Sequence, residues 1–108
     1  MITVTPNTEK IYFKGTTFEL LSVVARLEFS APKDGKQIQV APYWYASEEA
    51  YNNDEETLSL NLLSSAKYYE LAKGTEPETY DAQTIQVAHE KVKEDLESLG
   101  YTVVISGI

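Results

Sequence analysis

Apolar and polar positions alternate most persistently between Phe18 and Tyr45, in two runs joined by Pro32-Lys33-Asp34-Gly35-Lys36. The first run sets Leu21, Val23, Ala25, Leu27 and Phe29 against Phe18, Leu20, Ser22, Val24, Arg26 and Glu28, so one face stays apolar while the other turns polar past Val24. The second sets Ile38, Val40, Pro42 and Trp44 against Gln37, Gln39, Ala41, Tyr43 and Tyr45. A period of two predicts strands. Asp34-Gly35 supplies turn chemistry, because glycine takes positive φ freely and aspartate bonds to local backbone. Together these features predict one long β-hairpin. With Pro32 to Gly35 as its loop, Phe29 faces Ile38 and Leu27 faces Val40, and a one-residue slip would bury the glutamines. Pro42 cannot donate to a ladder, so its arm is an edge strand, is bulged there, or points the missing donor outward.

The flanking patterns are shorter. Ile2-Thr3-Val4-Thr5, ended by Pro6-Asn7, and Lys10-Ile11-Tyr12-Phe13-Lys14, closed by Gly15-Thr16, are β-prone runs expected as edge or flanking strands. Ser47 followed by Glu48 and Glu49 predicts a capped helical turn through Tyr51. Asn52-Asn53-Asp54-Glu55-Glu56 has no apolar member and predicts an exposed loop. Thr57 to Leu63 alternates Leu58, Leu60 and Leu62 against polar residues, a half-buried strand pattern. Residues 64–73 fit strand or helix, with Lys67 to Leu71 favoured as strand. After the loop Gly74 to Glu78, Ile85, Ala88, Val92, Leu96 and Leu99 recur at steps of three and four, with Glu90, Glu94 and Glu97 opposite. Thr79 or Asp81 caps this amphipathic helix, and Gly100 stops it. Pairs four apart, Lys91 with Asp95 and Lys93 with Glu97, add ~0.3 kcal/mol each. Tyr101 to Ile105 is a final strand. The fold class expected is α+β: a mainly antiparallel sheet built on the hairpin, with one C-terminal helix packed on it and a last strand after it. No linker or repeat divides residues 1–108, so a single domain is expected.

Charge changes this picture in the second half of the chain. Residues 1–47 hold five basic and four acidic side chains, whereas 48–108 hold four basic and thirteen acidic, within a net charge of −8. Nine dispersed basic residues supply no phosphate-neutralising cluster, so direct nucleic-acid binding is not expected. No run is long and apolar enough for a membrane helix, and the start lacks the basic and apolar regions of a signal peptide, which predicts a soluble chain not exported by that route. The absence of cysteine removes disulfides, thiolate metal sites and cysteine nucleophiles together.

Candidate chemistry is sparse. His89 is the single histidine, at the margin of the helix stripe, and a structural or solvated role is expected of it. Asp54-Glu55-Glu56 offers carboxylates in a row without the alternating ligands and glycine of a calcium loop. The five glycines are isolated, so no phosphate-cradling loop is present, and neither is GxSxG. No catalytic residue, metal, cofactor or small-molecule substrate is expected. The aromatic residues Tyr43, Trp44, Tyr45 and Tyr51 are the one notable enrichment. If Trp44 packs inward with Val40 and Val23, alternation sends Tyr43 and Tyr45 to the other face. There, with Tyr51 and rimmed by Asp54, Glu55 and Glu56, they make a candidate protein contact unless a second layer covers them.

A strand running into Pro32-Lys33-Asp34-Gly35-Lys36, a return strand Ile38 to Tyr45, the run from Tyr43 to Tyr51, and a terminal helix and strand resemble small structural proteins of tailed bacteriophages, at the tail, baseplate or head–tail junction. Residues 18–51 carry most of the likeness. It implies a non-enzymatic virion subunit, assembled in the host cytoplasm, that contacts copies of itself and neighbouring structural proteins. It transfers no binding site. Another class is a small acidic inhibitor or nucleic-acid mimic presenting its carboxylates to a basic host protein, which requires those carboxylates on one face. A small hydrolase or isomerase ranks last.

Overall fold

In chain order the elements are β1 (Ile2–Pro6), β2 (Ile11–Tyr12), β3 (Glu19–Leu20), β4 (Val23–Ser30), β5 (Gln37–Tyr45), α1 (Glu48–Asn52), β6 (Lys67–Glu70), α2 (Ala82–Ser98) and β7 (Tyr101–Ile105). The computed structural model describes residues 1–30, 37–62, 66–70 and 82–107. Five strands form one sheet in the order β6-β5-β4-β1-β7, with every neighbouring pair antiparallel, and β2 pairs with β3 in a separate ribbon. Together with α2 this is an α+β fold.

Alternation decides which side chains meet. Ile2 and Val4, Val23, Ala25 and Leu27, Ile38, Val40 and Trp44, and Val103 share one face of the sheet and form a continuous buried cluster. Ala88, Val92 and Leu96 of α2 close over that face, and Ile11, Leu60 and Leu62 complete the cluster. Burying a Val or Leu side chain is worth roughly 2 kcal/mol, against ~0.3 for an exposed ion pair four apart, so the apolar stripe sets how α2 docks. Asp95 takes Lys67 Nζ at 2.7 Å, an ion pair that ties the helix to β6. Gly100, at φ +106, ends the helical segment, and a Cβ there would strike Thr8 and Glu9, whose backbone N–H groups both donate to its carbonyl at 3.0 Å.

Several expectations are corrected. β1 is interior, between β4 and β7. Met1 and Ser106 exchange backbone hydrogen bonds, and antiparallel alternation then turns the nitrogen of Pro6 towards β4, beyond the last β1–β4 pair, Val4 with Val23. The missing donor therefore interrupts nothing. The first arm breaks at Leu21-Ser22: Glu19–Leu20 pairs with Ile11–Tyr12, while Phe18 and Leu21 are exposed. Val23–Ser30 then pairs with Gln37–Tyr45 two residues away from the expected register, Phe29 facing Val40 and Leu27 facing Pro42. A shift of two keeps every side chain on its face, so burial does not resist it. Trp44 accepts a bond from Leu58 N on the side away from β4, so Pro42, of the same parity, points its missing donor outward, one of the three arrangements expected.

Residues 57–62 keep the leucine alternation without forming a strand. Leu58 N bonds Trp44 O, while Ser59 O accepts from Lys14 N and Asn61 N bonds Tyr12 O, so the segment makes one isolated antiparallel bridge, Leu60 with Phe13, and does not extend it into a ladder. Leu99 leaves the expected stripe and is 54% exposed, because α2 ends at Ser98. The turn at 32–36, Leu71, the loop at 74–78 and the caps Thr79 and Asp81 lie outside the described residues.

Candidate functional site

The sheet face opposite α2 is the face that the fold leaves most accessible. Among the described residues, only α1 covers one end of it. Ser47 caps α1, its Oγ accepting from Ala50 N at 3.1 Å, and Glu48 and Glu49 in the first turn complement the positive end of the helix. That cap lays Ala50 and Tyr51 on Tyr45 and Val24, with Met1 and Tyr43 at the margin, and the Tyr45 and Tyr51 rings meet edge to face with centroids 5.3 Å apart.

Tyr43, Tyr45 and Tyr51 are thus brought together as expected, on the face away from Trp44, but they differ in access. Tyr45 is only 9% exposed, so of the two outcomes left open by the sequence, open contact or cover by a second layer, the second holds for it, and α1 is that layer. Tyr43 and Tyr51 are half-buried. The Arg26 guanidinium lies over the Tyr43 ring at 4.7 Å and bonds Glu28 at 2.7 Å, so the carboxylate raises the arginine's pKa and the arginine lowers that of Glu28. Asp54, Glu55 and Glu56 are exposed beside this cluster, their backbone tied by bonds from Asp54 N to Tyr51 O and Glu55 N to Ala50 O, with Asp54 at φ 52. Farther along the face, Glu28, Phe29, Ser30, Gln39, Ala41 and Ala66 line a depression of about 210 Å³.

Two residues of this face were not singled out from the sequence. Tyr68 and Val104 are 57% and 58% exposed, on the same side as Tyr43. Parity within Lys67–Glu70 and Tyr101–Ile105 was the signal, since each neighbours a residue that turns inward, Tyr69 and Val103.

Two titratable groups elsewhere, His89 and Tyr69, have structural partners. His89 is buried; Nδ1 donates to Ile85 O at 2.7 Å and Nε2 accepts from the Met1 amine at 3.0 Å. Burial lowers the pKa of both groups, and the adjacent amine lowers that of His89 further. Between β6 and α2, a cleft of about 370 Å³ is lined by Lys67, Tyr69, Glu70, Lys91, Glu94 and Asp95. There Tyr69 donates to Asp95 at 3.0 Å, and burial, followed by that hydrogen bond and then by the carboxylate charge, pushes the phenol well above the usual tyrosine range, which fixes it as a donor. Among the described residues, no three His, Asp or Glu side chains gather as metal ligands, and no helix is long and apolar enough to cross a membrane. Comparison with protein-family models, with curated proteins and with solved structures finds no match.

Proposed function

We propose that the chain is a non-enzymatic structural subunit of a bacteriophage virion, at the tail, baseplate or head–tail junction, working through contacts with copies of itself and neighbouring structural proteins. It reaches the virion by assembly in the host cytoplasm, without cofactor, substrate, nucleic acid or membrane. The single observation that carries the reading is the open sheet face. Tyr43 under Arg26, Tyr51, Tyr68 and Val104 give it aromatic and apolar area, and Asp54, Glu55 and Glu56 rim one end. β4 and β5, taken as the arms of one long hairpin, form the middle of that face. The resemblance of residues 18–51 to small phage structural proteins points the same way. The alternative, an acidic inhibitor, has less support: Glu48, Glu49 and Asp54 to Glu56 lie at the α1 end of the open face, while Glu90, Glu94 and Glu97 lie on the back of α2, across the sheet.

Mass in solution tests the reading. Sedimentation over about 5 to 500 µM should show mass rising with concentration. Tyr43→Ser combined with Tyr68→Ser should reduce that rise and leave the melting temperature nearly unchanged. A folded wild-type protein that stays monomeric throughout counts against an assembly subunit.

A further inference from the structure

The two edges of the main sheet are built differently. β6 is four residues long, carries Lys67 and Glu70 at its ends, and is held to α2 by the Lys67–Asp95 ion pair. Charge and shortness are common protections of an edge against pairing. β7 has neither. Its five residues, Tyr101-Thr102-Val103-Val104-Ile105, include no charge and no proline, and among the described strands longer than two residues it alone lacks both. Among the described residues, no strand pairs with its outer side.

The hydrogen bonds already described fix what that side offers. Ser106 exchanges both backbone bonds with Met1, and the β1–β7 register runs on through Thr3 with Val104 and Thr5 with Thr102. Antiparallel alternation then directs the N–H and C=O groups of Tyr101, Val103 and Ile105 away from β1. We infer that β7 is a self-association edge and that its occupant is β7 of a second copy, antiparallel about a two-fold axis at Val103. This rests on the reading of the chain as an assembly subunit.

The sequence of the edge is complementary to itself in that register. Val103 faces Val103 of the second copy and Tyr101 faces Ile105, each pair exchanging both backbone bonds, so all the outward groups are satisfied. Buried Tyr101 and Val103, with half-buried Ile105, continue the layer beneath α2 across the axis. On the open face Val104, 58% exposed, meets Thr102 of the other copy in a closely spaced pair. In a chain of net charge −8, a neutral strand of this length is matched by itself rather than by the charged β4 or β6. Two such strands give an interface at the small end of the specific range, below about 1,200 Å², the size of weak, reversible contacts.

Four measurements on the full chain test this. Sedimentation should show a monomer–dimer equilibrium below about 100 µM. Thr102→Lys with Val104→Lys sets lysine against lysine across the axis at two exposed positions, and should raise the dissociation constant at least about tenfold with little change in melting. Thr102→Lys with Val104→Glu sets opposite charges there and should restore dimerisation. Amide exchange gives the same answer without mutation: Val103 and Ile105 should become protected as concentration rises. If mass rises with concentration while the lysine pair leaves it unchanged and those amides stay unprotected, the edge is wrong and the assembly reading survives. A protein monomeric up to about 500 µM overturns both.

Discussion

At the scale of single residues, His89 has the most instructive environment. It is 4% exposed and makes both of its ring bonds inside the fold, to Ile85 O and to the Met1 amine. Its position four residues after Ile85 identified it as marginal to the stripe, but burial depended on the amine arriving from the other end of the chain, which no local pattern records. The energetic consequence has a definite sign. Desolvation and the neighbouring positive charge hold the folded pKa below the usual 6.5, so the fold prefers the neutral ring. Its stabilisation is complete above pH 6.5 and is lost as the pH falls through the folded value. Melting temperature should therefore drop between pH 7 and pH 5 more steeply for the wild type than for His89→Gln. Parallel slopes would show that the ring does not titrate against folding.

At the scale of elements, the stripe of α2 separates what spacing can assign from what it cannot. Val92 and Leu99 both fell on the expected stripe, yet Val92 is 1% exposed and Leu99 is 54% exposed. Val92→Asp buries an unpaired charge and should remove several kcal/mol, most of the stability a domain of this size holds. Leu99→Asp should stay within about 0.5 kcal/mol, and urea titration of both variants measures the difference. If Val92→Asp melts like the wild type, α2 is not docked through this stripe. The strands divide in a similar way. Parity was legible, because Trp44, Val40 and Val23 had to share a face. Partner choice was not, because a two-residue shift keeps that face unchanged and brings Phe29 to Val40 instead of Ile38. Pro6 suggested an edge, but it marked only where the β1–β4 ladder ends. Leu58, Leu60 and Leu62 alternated like a strand because they enter one core, although their backbone groups are divided between Trp44 and the stretch from Tyr12 to Lys14. The tyrosines were placed on the correct face, and only the packing of Ala50 and Tyr51 distinguished covered Tyr45 from accessible Tyr43.

At the scale of the whole molecule, charge discriminates between the two kinds of contact the fold offers. The protein measures 42 × 30 × 22 Å and carries a net charge of −8. A contact through the tyrosine cluster has Asp54, Glu55 and Glu56 at its rim, and a basic neighbouring surface would be drawn to them. Salt weakens such a contact. The β7 edge has no charge of its own, so the electrostatics of its dimer come from two acidic bodies brought side by side. Their separation is comparable to or larger than the Debye length of about 10 Å at 0.1 M, so their repulsion operates at low ionic strength and is screened at high. Hydrophobic burial of Val104 and Ile105 is not weakened by the same change. Raising sodium chloride from about 20 to about 500 mM should therefore tighten the β7 dimer several-fold. Asp54→Asn, Glu55→Gln and Glu56→Gln together, which cut the repulsion, should tighten it at low salt and reduce its salt dependence. Sedimentation equilibrium at the two ionic strengths reads both effects. A dimer that loosens with salt, or that the triple neutralisation weakens, would place the acidic rim inside the interface and move self-association from β7 to the tyrosine face.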